Sequence, residues 1–220
     1  MADSFNVGFL FDKENPWIHS HLSDHSWLLK LGNEYKFREL WSADAATDFD
    51  VLFILGYTKI LPASILSKNL LNLVIHESAL PKGRGFSPVQ WQVLNGASEI
   101  PVCLIEATEK VDEGDIFGST TIRLLGHELL DEIRCAQVLA TKELIVKFLQ
   151  VYPKVNRRQQ VGQATYYRRR SRHDDKLDAN ISLITQFNKL RVADNQNYPL
   201  YFEAHGHCYE LCVRKIEKDE

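Results

Sequence analysis

Long apolar runs, paired cysteines and an excess of either charge are all missing from this 220-residue chain. No apolar stretch approaches the roughly 20 residues that cross a bilayer as a helix. The amino-terminal MADSFNVG has neither the basic nor the long apolar region of a secretion signal, so no membrane partner and a cytoplasmic location are expected. The four cysteines, Cys103, Cys135, Cys208 and Cys212, form no C-x-x-C pair. In a chain long enough to bury a core without staples they read as reduced thiols. Lys and Arg number 26 against 29 Asp and Glu, a net charge of −3, which argues against whole-body attraction to nucleic acid or anionic membrane. What is present is ordinary globular composition, 45% hydrophobic and 25% charged, enough for one core.

NVGFLF (6–11) reads as a strand. It is followed by DKENPW, where Asn15 can cap a helix with Pro16 in its first turn. Ile18, Leu22, His25 and Leu29 recur at helical spacing up to Gly32, and His25 on that stripe reads as a satisfied core histidine. Further strands are expected over 36–41, 51–55, 71–75, 101–107 and 116–125, with helices over 63–67, 87–94 and 127–152 between and after them. Uninterrupted apolar strands alternating with helices predict an α/β fold, a doubly wound and mostly parallel sheet covered on both faces. A long polar, basic loop (154–176) follows, then a helix over 178–193. The tail YFEAHGHCYELC alternates like a small carboxyl-terminal hairpin turning at Gly206. His205 and His207 share one strand face and Cys208 and Cys212 the other, so the four do not converge on a metal, and none is expected.

In such sheets ligands sit beyond the carboxyl ends of the strands, where His76 ends LNLVIH. An imidazole there can exchange a proton near neutral pH, and Asp112, in KVDEGD after a later strand, is a carboxylate that can orient it. A strand-end histidine bonded to backbone satisfies the same pattern. HESALPKGRGFSP (76–88) followed by VDEGD (111–115) resembles the formyltransferase family that uses 10-formyltetrahydrofolate. The likeness extends to GYTKILP (56–62), QATYYRRR (163–170), DDKLD (174–178) and FNKLRVADNQNYPLYF (187–202).

The resemblance implies a Rossmann-like core within a catalytic domain over 1–176, with the helix and hairpin of 177–220 packed on the same domain. It also implies an enzyme, an N-formyltransferase in which an amine attacks the formyl carbon. His76 would take the amine proton or stabilise the oxyanion, and Asp112 would hold that histidine. By position the pterin falls to Lys59, Ile60 and Leu61 and to Glu109, Lys110 and Val111. Asp115 would contact the folate or cap its turn, and Ile60 and Leu61 can equally be packing residues. Ser78, Lys82 and Arg84, beside the histidine, would meet substrate phosphate or sugar oxygens.

The family usually has an asparagine two residues before the histidine, donating to the formyl oxygen. This chain has Val74 there, and Asn72, one pleat back, is about 6.5 Å away at strand rise. Another donor is expected to have taken over. Relatives that formylate methionyl-tRNA carry a further carboxyl-terminal barrel domain, so tRNA is not the expected substrate. The ending NKLRVADNQNYPLYF is more similar to enzymes that formylate an amino group on a nucleotide-linked deoxy sugar, which are commonly homodimers. HESALPKGRGFSP is most similar to formyltransferase-like proteins of bacterial pseudaminic or legionaminic acid pathways. Arg168, Arg169, Arg170 and Arg172 read first as a solvated surface loop, with a diphosphate site, or a single-stranded nucleic acid site using Tyr166 and Tyr167, as the other readings. The alternative from another class is a catalytically weak or inactive binding protein that keeps the pocket.

Overall fold

A computed structural model describes residues 4–216. Its first half holds β1 (Phe5–Phe11), α1 (Trp17–Leu22), β2 (Tyr35–Leu40), β3 (Val51–Leu55), α2 (Ala63–Leu66) and β4 (Leu71–His76). Next come β5 (Arg84–Gly85), α3 (Pro88–Leu94), β6 (Glu99–Glu106), β7 (Ile116–Arg123) and α4 (Leu130–Leu149). β8 (Tyr166–Tyr167), α5 (Phe187–Arg191) and the hairpin β9 (Leu200–Ala204) and β10 (His207–Leu211) complete the chain. The main sheet has the order β2-β1-β3-β4-β6-β7. Its first four strands run parallel, and β6 and β7 are antiparallel to their neighbours. This is the mostly parallel α/β sheet the apolar runs predict.

The runs are continuous because both faces are covered. Val7, Phe9 and Phe11 of β1, with Val51, Phe53 and Leu55 of β3, pack into the large cluster beneath α1 and α4. The alternate residues, Leu10, Leu52 and Ile54, meet Leu61 and Ile65 on the opposite face. Each such fully buried side chain contributes roughly 1.5–3 kcal/mol. Leu177, Leu190, Ala193 and Leu200 form a small cluster of their own under the hairpin. Among the described residues no helix is long and apolar enough to cross a membrane.

The helices depart from the expected boundaries where polar side chains compete with the backbone. The helix expected from Asn15 to Gly32 stops at Leu22, and Asp24 caps a separate 3-10 segment over 25–34 by accepting from the Ser26 N–H at 3.0 Å. The tighter period turns Leu29 out to 80% exposure. His25 is not a core residue: its Nε2 lies 2.9 Å from Glu39 Oε1 on the sheet's edge strand. Over 178–193 only α5 is helical. Gln186 there exchanges bonds with Asp178 at both ends of its amide, and Ser182 pairs with Thr185, which holds the preceding residues in turns. α4 begins at Leu130 rather than near His127, because Glu128 and Glu132 take the N–H groups of Leu125, Gly126 and Leu129.

Candidate active site

His76 is the last residue of β4, paired with Cys103 of β6, while the pairing with β3 on the other side ends at Val74. Its side chain is buried, with Nε2 2.8 Å from the Gly83 carbonyl and Nδ1 3.4 Å from Asp112 Oδ1. A carbonyl only accepts, so Nε2 carries a ring hydrogen, and Nδ1 must carry one as well for the Asp112 carboxylate to accept from it. The glycines around it have steric causes. A Cβ on Gly83 would stand 2.7 Å from the Tyr167 ring, and one on Gly85, at φ +100°, would stand 2.4 Å from the Tyr167 carbonyl oxygen. Only residues without a side chain allow β5 and β8 to pair at that separation.

Asp112 reaches His76 because the chain after β6 turns back on itself. Ala107 N–H bonds to the Asn72 carbonyl, and Asp112 then adopts φ 55°, a left-handed conformation that aspartate tolerates. Its second oxygen accepts the Gly85 N–H at 2.8 Å. Gln160 fastens this loop by donating to the carbonyls of Asp112 and Gly114, and Arg84 holds Gln160 at 2.7 Å and Glu113 at 2.9 Å. The imidazole–carboxylate pair is thus set by three distant segments of chain.

The pair lies at the floor of a cleft of about 780 Å³. Lys59, Ile60 and Leu61 line it, as do Lys110 and Val111. Asp12, nearly buried, fixes the first of these loops by accepting from the Thr58 N–H at 2.9 Å and from its hydroxyl. Burial alone would raise its pKa, yet these donors and Lys59 hold it below the ordinary carboxylate value.

Five expected site residues lie elsewhere. Glu109 borders a shallow depression beside α2 together with Asn69 and Asn72. Asp115 faces Arg157 at 3.6 Å. Ser78 is buried with its hydroxyl unpartnered, and Lys82 points to solvent. Arg84 is consumed by Gln160 and Glu113, so it holds the Asp112 loop and does not line the cleft. Asn72 cannot replace the asparagine missing at Val74: its amide donates to the Leu66 carbonyl and accepts from Asn69.

The basic stretch is at the surface, as expected, with Arg168, Arg169 and Arg172 exposed, and it also borders the cleft, which Arg169, Arg170 and Arg172 line. Arg168 is bound to Asp174 and lies over Trp91, and Arg170 is bound to the buried Asp175. Arg169 and Arg172 stack on Phe86 and Tyr201 and form no ion pair among the described residues.

Glu77, Arg134 and Gln137 are among the lining residues that the sequence reading did not single out. Glu77 follows His76 and meets Gln137 of α4 at 3.0 Å. Arg134, one turn earlier on α4, pairs with Asp194 at 2.9 Å. Leu130, Arg134 and Gln137 fall at i, i+4 and i+7, so the polar members of an otherwise apolar stripe carried the signal.

Residues 23–149, more than half of the chain, match the family model described as Formyl transferase. A methionyl-tRNA formyltransferase of Orientia tsutsugamushi is 29% identical over 197 residues, 87% of this chain and 62% of that protein. The chain therefore spans less than two thirds of that relative's length. Among solved structures, a methionyl-tRNA formyltransferase from Clostridium thermocellum superposes with a TM-score of 0.80 at 18% identity, covering 97% of this chain and 94% of that one. A 4-N formyltransferase from Francisella tularensis gives 0.76 at 16% identity over 98% and 99%. These two likenesses concern the fold, and the match over 23–149 settles the family: the chain is a member of the formyl transferase family.

Proposed function

We propose that the protein transfers a formyl group from 10-formyltetrahydrofolate to the amino group of a nucleotide-linked amino deoxy sugar. The observation that carries this reading is the His76–Asp112 pair, 3.4 Å apart on the floor of a deep cleft. One wall of the cleft is apolar, built from Ile54, Leu61, Val74 and Ile105 and edged by the loops after β3 and β6. Such a lining fits a flat heterocycle recognised through main-chain groups. Arg169 and Arg172 also line the cleft with no carboxylate bound to them among the described residues, although one nitrogen of Arg172 donates to the Pro199 carbonyl; their guanidinium donors suit a diphosphate. Resemblance of the carboxyl-terminal segment to nucleotide-sugar enzymes, and a fold shared with a 4-N formyltransferase, support the choice of acceptor.

The folate supplies an electrophilic carbonyl carbon and a nitrogen that leaves. Attack by an amine drives negative charge onto the carbonyl oxygen, and Val74 has no donor for it. We assign that role to His76 Nε2–H, which the Gly83 carbonyl holds until the oxygen arrives. Asp112 keeps the ring oriented, and its own orientation comes from Gly85 and the Gln160 clasp.

The test is to mix the protein with 10-formyltetrahydrofolate and a panel of UDP- and dTDP-linked amino hexoses, with methionyl-tRNA in a parallel arm. Tetrahydrofolate release and the mass of the product are read together. A formylated sugar is expected, and His76→Ala should lower turnover by 10²–10⁴-fold, at an order-of-magnitude level, with little change in folate affinity. Formylation of the tRNA alone would overturn the sugar acceptor. Folate binding with no release in either arm would favour the inactive binding protein, a reading that Val74 motivates.

A further inference from the structure

We propose that Glu77 holds the acceptor amine and takes its first proton. The inference rests on the formyl-transfer reading above and adds a residue to it. Successive side chains leave a strand by opposite faces. At the end of β4, His76 accordingly turns to Gly83 and Asp112, and Glu77 turns to α4, where Gln137 Nε2 donates to its Oε1 over 3.0 Å. Both residues line the cleft. A carboxylate only accepts, so Gln137 must present its amide nitrogen to Glu77. That leaves the carbonyl oxygen of Gln137, itself 5% exposed, buried without a hydrogen-bond partner. Apart from Gln137, the Glu77 carboxylate is met only by its own backbone N–H and by no other side-chain donor among the described residues. An unpaired amide oxygen beside a carboxylate that can accept further bonds, both on the lining of one cleft, calls for a ligand that brings N–H groups. The substrate of a formyl transfer that brings them is the amine.

The surrounding charges leave Glu77 available. His76 and Asp112 are the charges that act on it, Arg134 on α4 is committed to Asp194 at 2.9 Å, and Arg170, another lining residue, is bound to Asp175. Burial raises the Glu77 carboxyl above its ordinary pKa, with His76 and the Gln137 amide pulling partly back and Asp112 adding to the rise. Desolvation acts on an ammonium in the opposite direction, so transfer from one to the other is brought toward balance. Two protons leave the ammonium in all. The first passes to Glu77, freeing the lone pair that forms the new N–C bond. The second leaves with the departing folate nitrogen as the old C–N bond breaks, and Glu77 then returns its proton to solvent.

The experiment uses the full chain, 10-formyltetrahydrofolate and the same panel of nucleotide-linked amino hexoses, with rates followed across pH. Glu77→Gln should lower kcat/KM for the amino sugar by about 100-fold while changing KM for the folate by less than about threefold, and the acid limb of its pH profile should vanish. Glu77→Asp should restore part of the rate. Gln137→Leu removes the N–H that stabilises the charged carboxylate, so the acid limb should move to higher pH. Retention of the rate in Glu77→Gln within about threefold, with its acid limb intact, overturns the proposal. So does an unmoved limb in Gln137→Leu, which decides alone if Glu77→Gln fails to fold. If the wild-type protein binds folate but formylates neither a member of the panel nor methionyl-tRNA, the formyl-transfer reading has failed and the role of Glu77 falls with it.

Discussion

Val74 occupies a position where the family places a hydrogen-bond donor, and the neighbouring side chains show how the chain lives without one. It is partly buried and packs against both Leu52 and Ile105 neighbourhoods of the sheet while facing the cleft. Restoring the amide tests whether the missing donor limits the rate. Val74→Asn should raise turnover by about tenfold or more, since a donor aimed at the developing oxyanion is worth 10²–10³ where it has been removed. It should also lower Tm by a few degrees, because apolar contact is exchanged for a polar group. Unchanged turnover in a folded variant would mean that another group, such as His76 Nε2–H, already meets the need. At this scale His76, Asp112 and the loops around Ile60 and Val111, named from the family resemblance, are brought together around one cleft, and they were legible because their types and order are local properties of the chain. The sequence reading missed Glu77 because no pattern says that an acid after a strand end will be turned toward a helix sixty residues away.

Whole elements are joined here by a few polar clasps, and Glu128 is the clearest of them. It sits in the turn before α4, accepts the N–H groups of Leu125 and Gly126, and pairs with Arg191 of α5 at 3.1 Å. Burial would raise its pKa, but the backbone donors outweigh burial and hold it at about 2, against an ordinary 4.5. The folded protein thus binds this proton less readily than the unfolded chain. The stability Glu128 contributes is complete above the unfolded value of 4.5 and is lost as pH falls toward about 2. Thermal melts across that window should show Tm falling with pH in the wild type and a shallower slope in Glu128→Gln, which starts lower near neutrality. Equal slopes in the two proteins would remove Glu128 from the account. The strands were legible as elements because their apolar runs have only one way to be buried on both faces. The helices over 16–32 and 178–193 were not, since the side chains of Asp24, Asp178 and Ser182 accept the nearby N–H groups of Ser26, Asn180 and Thr185, local bonds that a hydrophobic period does not reveal.

Over the whole molecule the net charge of −3 conceals a cleft lined by several cations, Lys59, Lys110, Arg134, Arg169, Arg170 and Arg172. Arg169 and Arg172 arrive there because β8 pairs with β5 and carries the basic loop back over the sheet. Replacing both by alanine should raise KM for a nucleotide-linked sugar by about tenfold or more, as expected for lost charge-assisted bonds, while leaving kcat within a few-fold. The dependence of KM on ionic strength should weaken at the same time. A double variant with unaltered KM and salt dependence would move the diphosphate away from these residues. The sequence reading ranked a solvated surface loop ahead of a diphosphate site; the arginines are exposed and also border the cleft, a distinction a run of arginines does not carry in its sequence.

The amino-acid sequence by itself determined the parallel strand cores, the histidine at the head of β4, the glycines that let β5 and β8 approach, and the carboxylate after β6. Each depends on the size, branching or charge of residues near one another in the chain. Tertiary structure decided the rest. It brought Asp112 back to His76 through the Gln160 and Arg84 clasp, turned Glu77 to Gln137, spent Arg84 on the loop and placed Arg169 and Arg172 over the cleft. The physical reason is that a side chain's role follows from which partner occupies its hydrogen bonds, and those partners come from segments whose separation along the chain carries no record of their distance in space.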